Sequence, residues 1–453
     1  MEQVDLLVIG GGPAGYSAAI RASQLGKSVV IAEKEAVGGT CLNRGCIPTK
    51  SLLESARFYR ELTTAAKHGV TLEVKDLDYT KVVEQKDVVV TRLVDGLKFL
   101  LSRRGVEIVE GEARFLSPTQ VEVGDRVFQP EKVVVATGTT PVQLPGLEAD
   151  GERIFNSEEM LAADTLPNSL LIVGGGVIGC EFATVFASYG VKVTIVEMQD
   201  QILPWDDREI SSTLTREFKK RKISVLTKAR VGKVERTADG LTVAIEQKGR
   251  ERILEVDRIL VSVGRKPVVP EGFPAELDGR GYIAVNESFQ TSVPHIYAAG
   301  DIIGGLQLAH LAFEEGWAAV NFAYGEPARS EWFVPTCVYT QPEIGSVGLT
   351  ETAARERYGE VIVAKYSLKG NGKAVIAGDD GGFCKIVASA DGVVRGVHII
   401  GPQATELISS AAVAMENGLT LAQWAQVIYP HPTVSEAVKE TVLSGLGTGL
   451  HSI

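Results

Sequence analysis

The chain has 453 residues, 45% of them hydrophobic and 23% charged, enough for two to four domains each with its own core. A formal charge of −11 argues against nucleic acid or an anionic membrane surface as the main partner. No apolar run approaches the ~18 residues of a membrane span. The first five residues lack the flank and apolar block of a signal peptide, and five cysteines are no secreted disulfide framework, so the expected setting is a reducing cytoplasm.

Residues 4–9 are an apolar run expected as a strand. Gly10-Gly11-Gly12-Pro13-Ala14-Gly15 follows, then a helical pattern closing at Gly26 and a second strand over 27–32 ended by Glu33. This order of strand, glycine turn, helix, strand and acid is that of a dinucleotide site. Gly10, Gly12 and Gly15 permit a tight turn and close approach of a pyrophosphate to free N–H groups at the helix start. Glu33 is placed to accept hydrogen bonds from a ribose hydroxyl. One glycine-rich turn alone is weak support.

Next comes Gly38-Gly39-Thr40-Cys41-Leu42-Asn43-Arg44-Gly45-Cys46-Ile47-Pro48-Thr49-Lys50, with two cysteines five residues apart. In a regular helix that offset separates the Cα atoms by roughly 8–9 Å, beyond the ~7 Å reach of a disulfide. Pairing therefore requires a bend, which Gly45 permits, and a strained, easily reduced bridge suits catalysis. By themselves the two residues read equally well as unpaired buried thiols.

The first pattern then repeats. A strand over 170–173 runs into Gly174-Gly175-Gly176-Val177-Ile178-Gly179, a helix closing at Gly190 and a strand ending at Glu197. Gly10, Gly12, Gly15, Gly26 and Glu33 each recur 164 residues later, at Gly174, Gly176, Gly179, Gly190 and Glu197. Five landmarks in one register indicate two dinucleotide-binding domains. Two nucleotides plus a cysteine pair imply electron flow, with a flavin linking nicotinamide to dithiol.

Further segments fit a flavin. Val133-Val134-Val135-Ala136-Thr137-Gly138 ends a strand, and Ile296-Tyr297-Ala298-Ala299-Gly300-Asp301 is another strand ending in an acid. Asp301 suits a hydroxylated tail, although taken by itself it reads better as an ordinary N-cap. Leu308-Ala309-His310 opens a helix to about Gly325 whose positive end suits an electron-rich ring. After about Pro335 strands over 337–339, 382–388 and 393–400 alternate with helices over 351–358, 406–417 and 421–426. His431-Pro432-Thr433-Val434-Ser435-Glu436 closes this α+β region before a helix to Ser444. Glu436 is placed to orient His431 as a base; a surface histidine before a helix is the plain alternative.

Together these segments, with Val263-Gly264-Arg265-Lys266-Pro267, resemble the flavin-dependent disulfide reductases of the pyridine-nucleotide family, in that family's order and over essentially the whole chain. The resemblance implies an α/β fold with two Rossmann-like three-layer dinucleotide-binding domains and a C-terminal α+β interface domain. The expected divisions are an FAD-binding part over 1–144, an NAD-binding domain over 145–267, a second FAD-binding or central part over 268–334, and a dimerisation domain over 335–453. FAD is expected on Gly10, Gly12, Gly15, Glu33, Thr40, Lys50, Ala113, Gly138, Asp301 and Ala309. NAD is expected on Gly174, Gly176, Gly179, Glu181, Glu197, Val231 and Gly264. Cys41 becomes the interchange thiol and Cys46 the charge-transfer thiol of a redox disulfide, with Lys50 and Glu181 paired beside the flavin. Read without the resemblance, Lys50 and Glu181 are two unrelated surface charges. His431, oriented by Glu436, reaches the cysteines of the other subunit, so a homodimer is the active unit. A cis peptide is expected at His431–Pro432. Cys180, Cys337 and Cys384 match no catalytic position and read as small buried hydrophobes.

Within the family, Glu197-Met198-Gln199-Asp200-Gln201 brings carboxylates that repel a 2′-phosphate, favouring NAD over NADP. Pro13 and Ile20 stand where glutathione reductases anchor glutathione, and no cysteine follows Cys384. The expected reaction is oxidation of protein-bound dihydrolipoamide by NAD+ through the cysteine pair and FAD. The lipoyl group arrives on a partner, an acyltransferase core or a glycine-cleavage carrier protein. The alternatives are an NADH-driven reductase of another disulfide or a quinone, and a subunit serving mainly for assembly of a multienzyme complex.

Overall fold

A computed structural model describes residues 1–451; the last two residues of the C-terminal segment lie outside the described part. The apolar run at the start forms the strand Glu2–Ile9, buried along its second half as a strand covered on both faces must be. It pairs in parallel with Val29–Glu33 on one side and Arg126–Val135 on the other. Glu107–Glu110 extends the sheet beyond Val29–Glu33. Ala113–Ser117 and Gln120–Val123 form an antiparallel ribbon on the far flank.

The chain leaves this sheet after Val135 and returns to it with Ile296–Ala298, which pairs in parallel with Arg126–Val135. The excursion builds a second sheet of five parallel strands, in the order Ser224–Leu226, Lys192–Val196, Ser169–Val173, Arg258–Val261, Ile154–Phe155. A three-stranded antiparallel sheet, Ala229–Arg236, Leu241–Gln247 and Arg250–Val256, stands against it. A short ribbon, Thr139–Pro141 against Arg265–Pro267, joins the outgoing and returning chain.

The C-terminal region is an antiparallel sheet in the order Thr336–Val338, Glu343–Gly348, Val394–Gly401, Phe383–Ser389, Val361–Ser367. Helices Ala404–Glu416 and Glu436–Gly445 pack on it through Ile408, Ala411, Val438 and Val442. The expected helix over 351–358 is present with those bounds. Two long helices had no sequence expectation, Cys46–Thr64 and Tyr79–Arg103. Their exposed faces are rich in charge, and each shows the core only a thin apolar line through residues such as Leu52, Ala56, Val83 and Val94. No helix among the described residues is long and apolar enough to cross a membrane.

Candidate active site

The two glycine loops share one local structure. Gly10 (φ 100°) and Gly174 (φ 109°) lie in the left-handed region that favours glycine. A Cβ on Gly15 would meet the Gly10 carbonyl oxygen at 1.9 Å, and one on Gly179 would meet that of Gly174 at 2.1 Å. These contacts press each helix start onto its loop. Helices Pro13–Gln24 and Val177–Ser188 follow, each with a glycine N-cap and no capping side chain, so their first N–H groups stay available to an anion.

The acids close the repeat. Glu33 accepts from the N–H groups of Gly11 (2.7 Å) and Glu35 (2.9 Å). Glu197 accepts from Gly175 (2.7 Å) and Gln199 (2.7 Å). Each of these carboxylate oxygens accepts one backbone N–H and has a further lone pair to accept another donor.

Residues 38–50 are packed onto the first loop. The Gly38 N–H donates to Gly11 O (2.7 Å), and Gly39 backs against Gly12. A six-residue helix, Gly39–Arg44, carries Cys41; the helix breaks at Gly45, and Cys46 opens the next helix, Cys46–Thr64. The bend expected at Gly45 is there. Glycine suits the position, since a Cβ there would lie 2.9 Å from Thr40 O.

Both cysteines are free thiols. The neighbouring Cys41 thiol holds Cys46 down to about 7; burial opposes the shift and the Lys50 charge assists it. Cys41 moves the opposite way, raised by the neighbouring Cys46 thiol, by burial and by the charge on Cys46. Of the two thiols, Cys46 is the one shifted toward the thiolate form.

Lys50 lies one turn further along the helix. Its Nζ donates to Glu181 Oε1 (3.0 Å) and Oε2 (2.9 Å) and sits 4.6 Å from the Tyr339 ring centroid. Glu181 is 3% exposed and also accepts from the Tyr339 N–H (3.0 Å). Burial works against the Lys50 ammonium, but Glu181 more than offsets it and the pKa is raised. The reading of Lys50 and Glu181 as unrelated surface charges is excluded.

Asp301 begins a short 3₁₀ turn, Asp301–Ile303, but its side chain caps nothing, contrary to the N-cap alternative. It accepts from Thr139 Oγ1 (3.0 Å), and burial raises its pKa. Gly300 donates to Glu315 Oε2 (2.8 Å), and burial pushes Glu315 up to about 7. Ala309 opens the helix Ala309–Ala323, which Gly316 lets settle against Ala14 O. Gly138 (φ 67°) bonds through its carbonyl to the Val268 N–H, and Gly264 (φ 117°) likewise to Val142. Ala113 is buried at the start of its strand, two residues after Gly111 donates to Glu33 O. Val231 precedes an irregularity in the strand Ala229–Arg236.

Two observations favour a group held along the first sheet's edge. Thr137 Oγ1 is buried without a partner beside Gly10, and the half-buried Asp301 carboxyl has a single donor. The hydroxyl-rich tail and pyrophosphate of FAD offer what both lack.

His431 and Glu436 sit together in the C-terminal region: Nδ1 lies 2.9 Å from Glu436 Oε1, and Glu436 Oε2 accepts from the Thr433 N–H (2.9 Å). Burial pushes Glu436 up, but these donors win and its pKa is lowered. With Nδ1 donating to Glu436, Nε2 is the basic nitrogen of a ring 79% exposed. Among the described residues no bond joins this pair to Cys41 or Cys46 of the same chain. The His431–Pro432 peptide is cis, as is Gln341–Pro342, which was not expected.

Sequence reasoning missed Arg265, Thr139 and Tyr339. Arg265 donates to Thr139 Oγ1 (2.8 Å), Thr139 O (2.7 Å), Glu158 Oε1 (3.2 Å) and Thr40 Oγ1 (3.4 Å), tying the ribbon to the cysteine helix. Its place inside Val263-Gly264-Arg265-Lys266-Pro267 was the available signal. Tyr339 acts through its N–H and ring face, which carry none. Cys180 and Cys384 are fully buried, burial raising both thiols. Cys337 is corrected: it is partly exposed rather than a core hydrophobe, its thiol raised to about 11 by burial.

The chain matches the family described as pyridine nucleotide-disulphide oxidoreductase over residues 4–316, and that family's dimerisation domain over 334–442. It is 42% identical to a dihydrolipoyl dehydrogenase of Bacillus subtilis, covering 99% of this chain and 100% of the relative. It is 38% identical to that of Geobacillus stearothermophilus, covering 100% and 98%. Among solved structures, LpdA from Mycobacterium tuberculosis superposes with a TM-score of 0.89 at 29% identity, covering 97% and 99%. The HOCl-induced flavoprotein disulfide reductase RclA of Escherichia coli gives 0.86 at 26%, with the same coverage. Two matching glycine cradles, a cysteine pair on the segment packed against the first, and full-length similarity place this chain in the pyridine nucleotide-disulphide oxidoreductase family.

Proposed function

We propose that the chain works as a dihydrolipoyl dehydrogenase, a homodimer that oxidises a protein-bound dihydrolipoyl dithiol with NAD+. The observation that carries the reading is the Cys41–Cys46 pair set either side of the helix break at Gly45, one turn before the buried Lys50–Glu181 bridge.

In the oxidised enzyme Cys41 and Cys46 form a disulfide. His431 of the partner subunit, held by its own Glu436, takes a proton from one dihydrolipoyl thiol on Nε2. The resulting thiolate attacks Cys41 Sγ, and Cys46 leaves as a thiolate, the form that Lys50 and its place at a helix N-terminus favour. The second dihydrolipoyl thiol then displaces Cys41, giving lipoyl disulfide and a reduced cysteine pair. Bound FAD supplies the two-electron transfer between that pair and NAD+. Gly10, Gly12, Gly15, Glu33, Thr40, Lys50, Ala113, Gly138, Asp301 and Ala309 hold it. Gly174, Gly176, Gly179, Glu181, Glu197, Val231 and Gly264 bind NAD, and Lys50–Glu181 joins the two cofactor-binding regions.

The lipoylated partner is a 2-oxo acid dehydrogenase acyltransferase or a glycine-cleavage carrier. The domain divisions at about 144, 267 and 334 belong to the same reading. The test is the initial rate of NAD+ reduction by dihydrolipoamide, with NADP+ alongside. Fast NADH formation with little NADPH supports the reading. No turnover by yellow, dimeric protein overturns it in favour of an NADH-driven disulfide or quinone reductase.

A further inference from the structure

The sequence argument for NAD rested on carboxylates after the second glycine loop, with no cation among residues 197–201. The structure brings cations there from elsewhere in the chain. A surface recess of about 230 Å³ is lined by Met198, Lys228, Arg230, Glu246 and Lys248. Met198 directly follows the ribose acid Glu197, and the Lys228 N–H donates to Gln199 O (2.8 Å), fixing the recess against that loop. Arg230 and Glu246 face each other across paired strands. Among the described residues the side chains of Lys228, Arg230 and Lys248 make no hydrogen bond or ion pair. Three cations face one carboxylate, a local excess of positive charge on a chain of net −11. The other acid of the loop, Asp200, is engaged by Arg208 (3.4 Å).

We propose that Lys228, Arg230 and Lys248 form a phosphate-accepting rim beside the ribose of the second dinucleotide, so that Glu197 alone, not a lack of cations, weakens binding of a 2′-phosphate relative to a free 2′-hydroxyl. The inference rests on the NAD reading of the second cradle. A dianionic phosphate beyond the ribose 2′-position meets ammonium and guanidinium groups in the recess, while Glu197 repels it from the other side. Removing that one charge converts the site.

The test uses the FAD-loaded dimer and measures binding of adenosine 2′,5′-bisphosphate against 5′-AMP by calorimetry, at low and high salt. Glu197→Gln is expected to raise the ratio of bisphosphate to AMP affinity by about tenfold. Adding Lys228→Ala, Arg230→Ala and Lys248→Ala should cancel that gain and flatten its salt dependence. In the parent protein the triple change should weaken the bisphosphate and leave 5′-AMP within about twofold. Unchanged bisphosphate affinity in the triple variant overturns the proposal, and that comparison stands even if Glu197→Gln does not fold. Failure of 5′-AMP to bind the parent protein overturns instead the reading of the second cradle.

Discussion

The two glycine loops are built alike and finished differently. In both, an acid 22 residues beyond the loop's second glycine pins the loop from below, Glu33 on Gly11 and Glu197 on Gly175. In the first, residues 38–46 fold back over the loop, and Gly39 approaches Gly12 closely enough that a Cβ on either would touch the other's backbone. In the second, Ile202 and Leu203 fold back over Gly175, the Leu203 N–H donating to Gly175 O (2.8 Å), but a Cβ on Gly176 would meet nothing within 4 Å. The same cradle is therefore closed at its third glycine by the segment that carries the redox pair at one site and left open at that glycine at the other. A closed cradle suits a cofactor that stays; an open one suits a nucleotide that exchanges each turnover.

The largest effects should come from breaking the closed side. Cys46→Ser is expected to abolish dihydrolipoamide-dependent NADH formation while NADH still bleaches the flavin directly; retained lipoamide turnover would rule out the disulfide route. His431→Ala should leave yellow, dimeric protein with turnover lowered by about 10²- to 10⁴-fold. Near-normal rates in that variant would remove His431 from the mechanism.

Gly15→Ala and Gly176→Ala sharpen the contrast between folding and binding. The first drives a methyl into Gly10 O and should give unfolded or flavin-free protein. At the open cradle Gly176→Ala should keep flavin and melting temperature and raise the KM for NAD+; a lower melting temperature with normal KM would contradict the open-cradle account. Glu181→Gln removes the partner of the Lys50 ammonium and should lower stability by about 2 kcal/mol, read in denaturant unfolding.

The smallest effect concerns pH. Cys46, held down to about 7, is mainly thiol below that pH and thiolate above it. In Cys41→Ser, which keeps a hydrogen-bond donor, its reaction with a small disulfide reagent should rise with pH and reach half its maximum near about 7. In Cys41→Ala the midpoint should move upward, because the first cause of the shift is gone. Equal midpoints in the two variants would show that Lys50 and the helix, rather than Cys41, set the thiolate.

The strands and glycine turns were legible because their signals are local. Glycine at Gly10 and Gly174 answers to backbone conformation, and a buried parallel strand shows as an unbroken apolar run. Helices Cys46–Thr64 and Tyr79–Arg103 escaped notice because tertiary contacts ask little apolar surface of them. Cys337 was misplaced for a related reason: residue type suggests burial, while exposure depends on what the fold leaves uncovered beside it.

Two dinucleotide cradles and the order of the segments are written in the chain locally, and so is the glycine at 45 that permits a bend, since each depends on neighbours a few residues apart. That Lys50, Glu181 and Tyr339 meet, that Arg265 ties the ribbon to the cysteine helix, and that Lys228, Arg230 and Lys248 gather beside Met198 follows from the fold alone. Those meetings join residues up to hundreds of positions apart, where electrostatics and hydrogen bonding act through space and leave no periodicity in the chain to read.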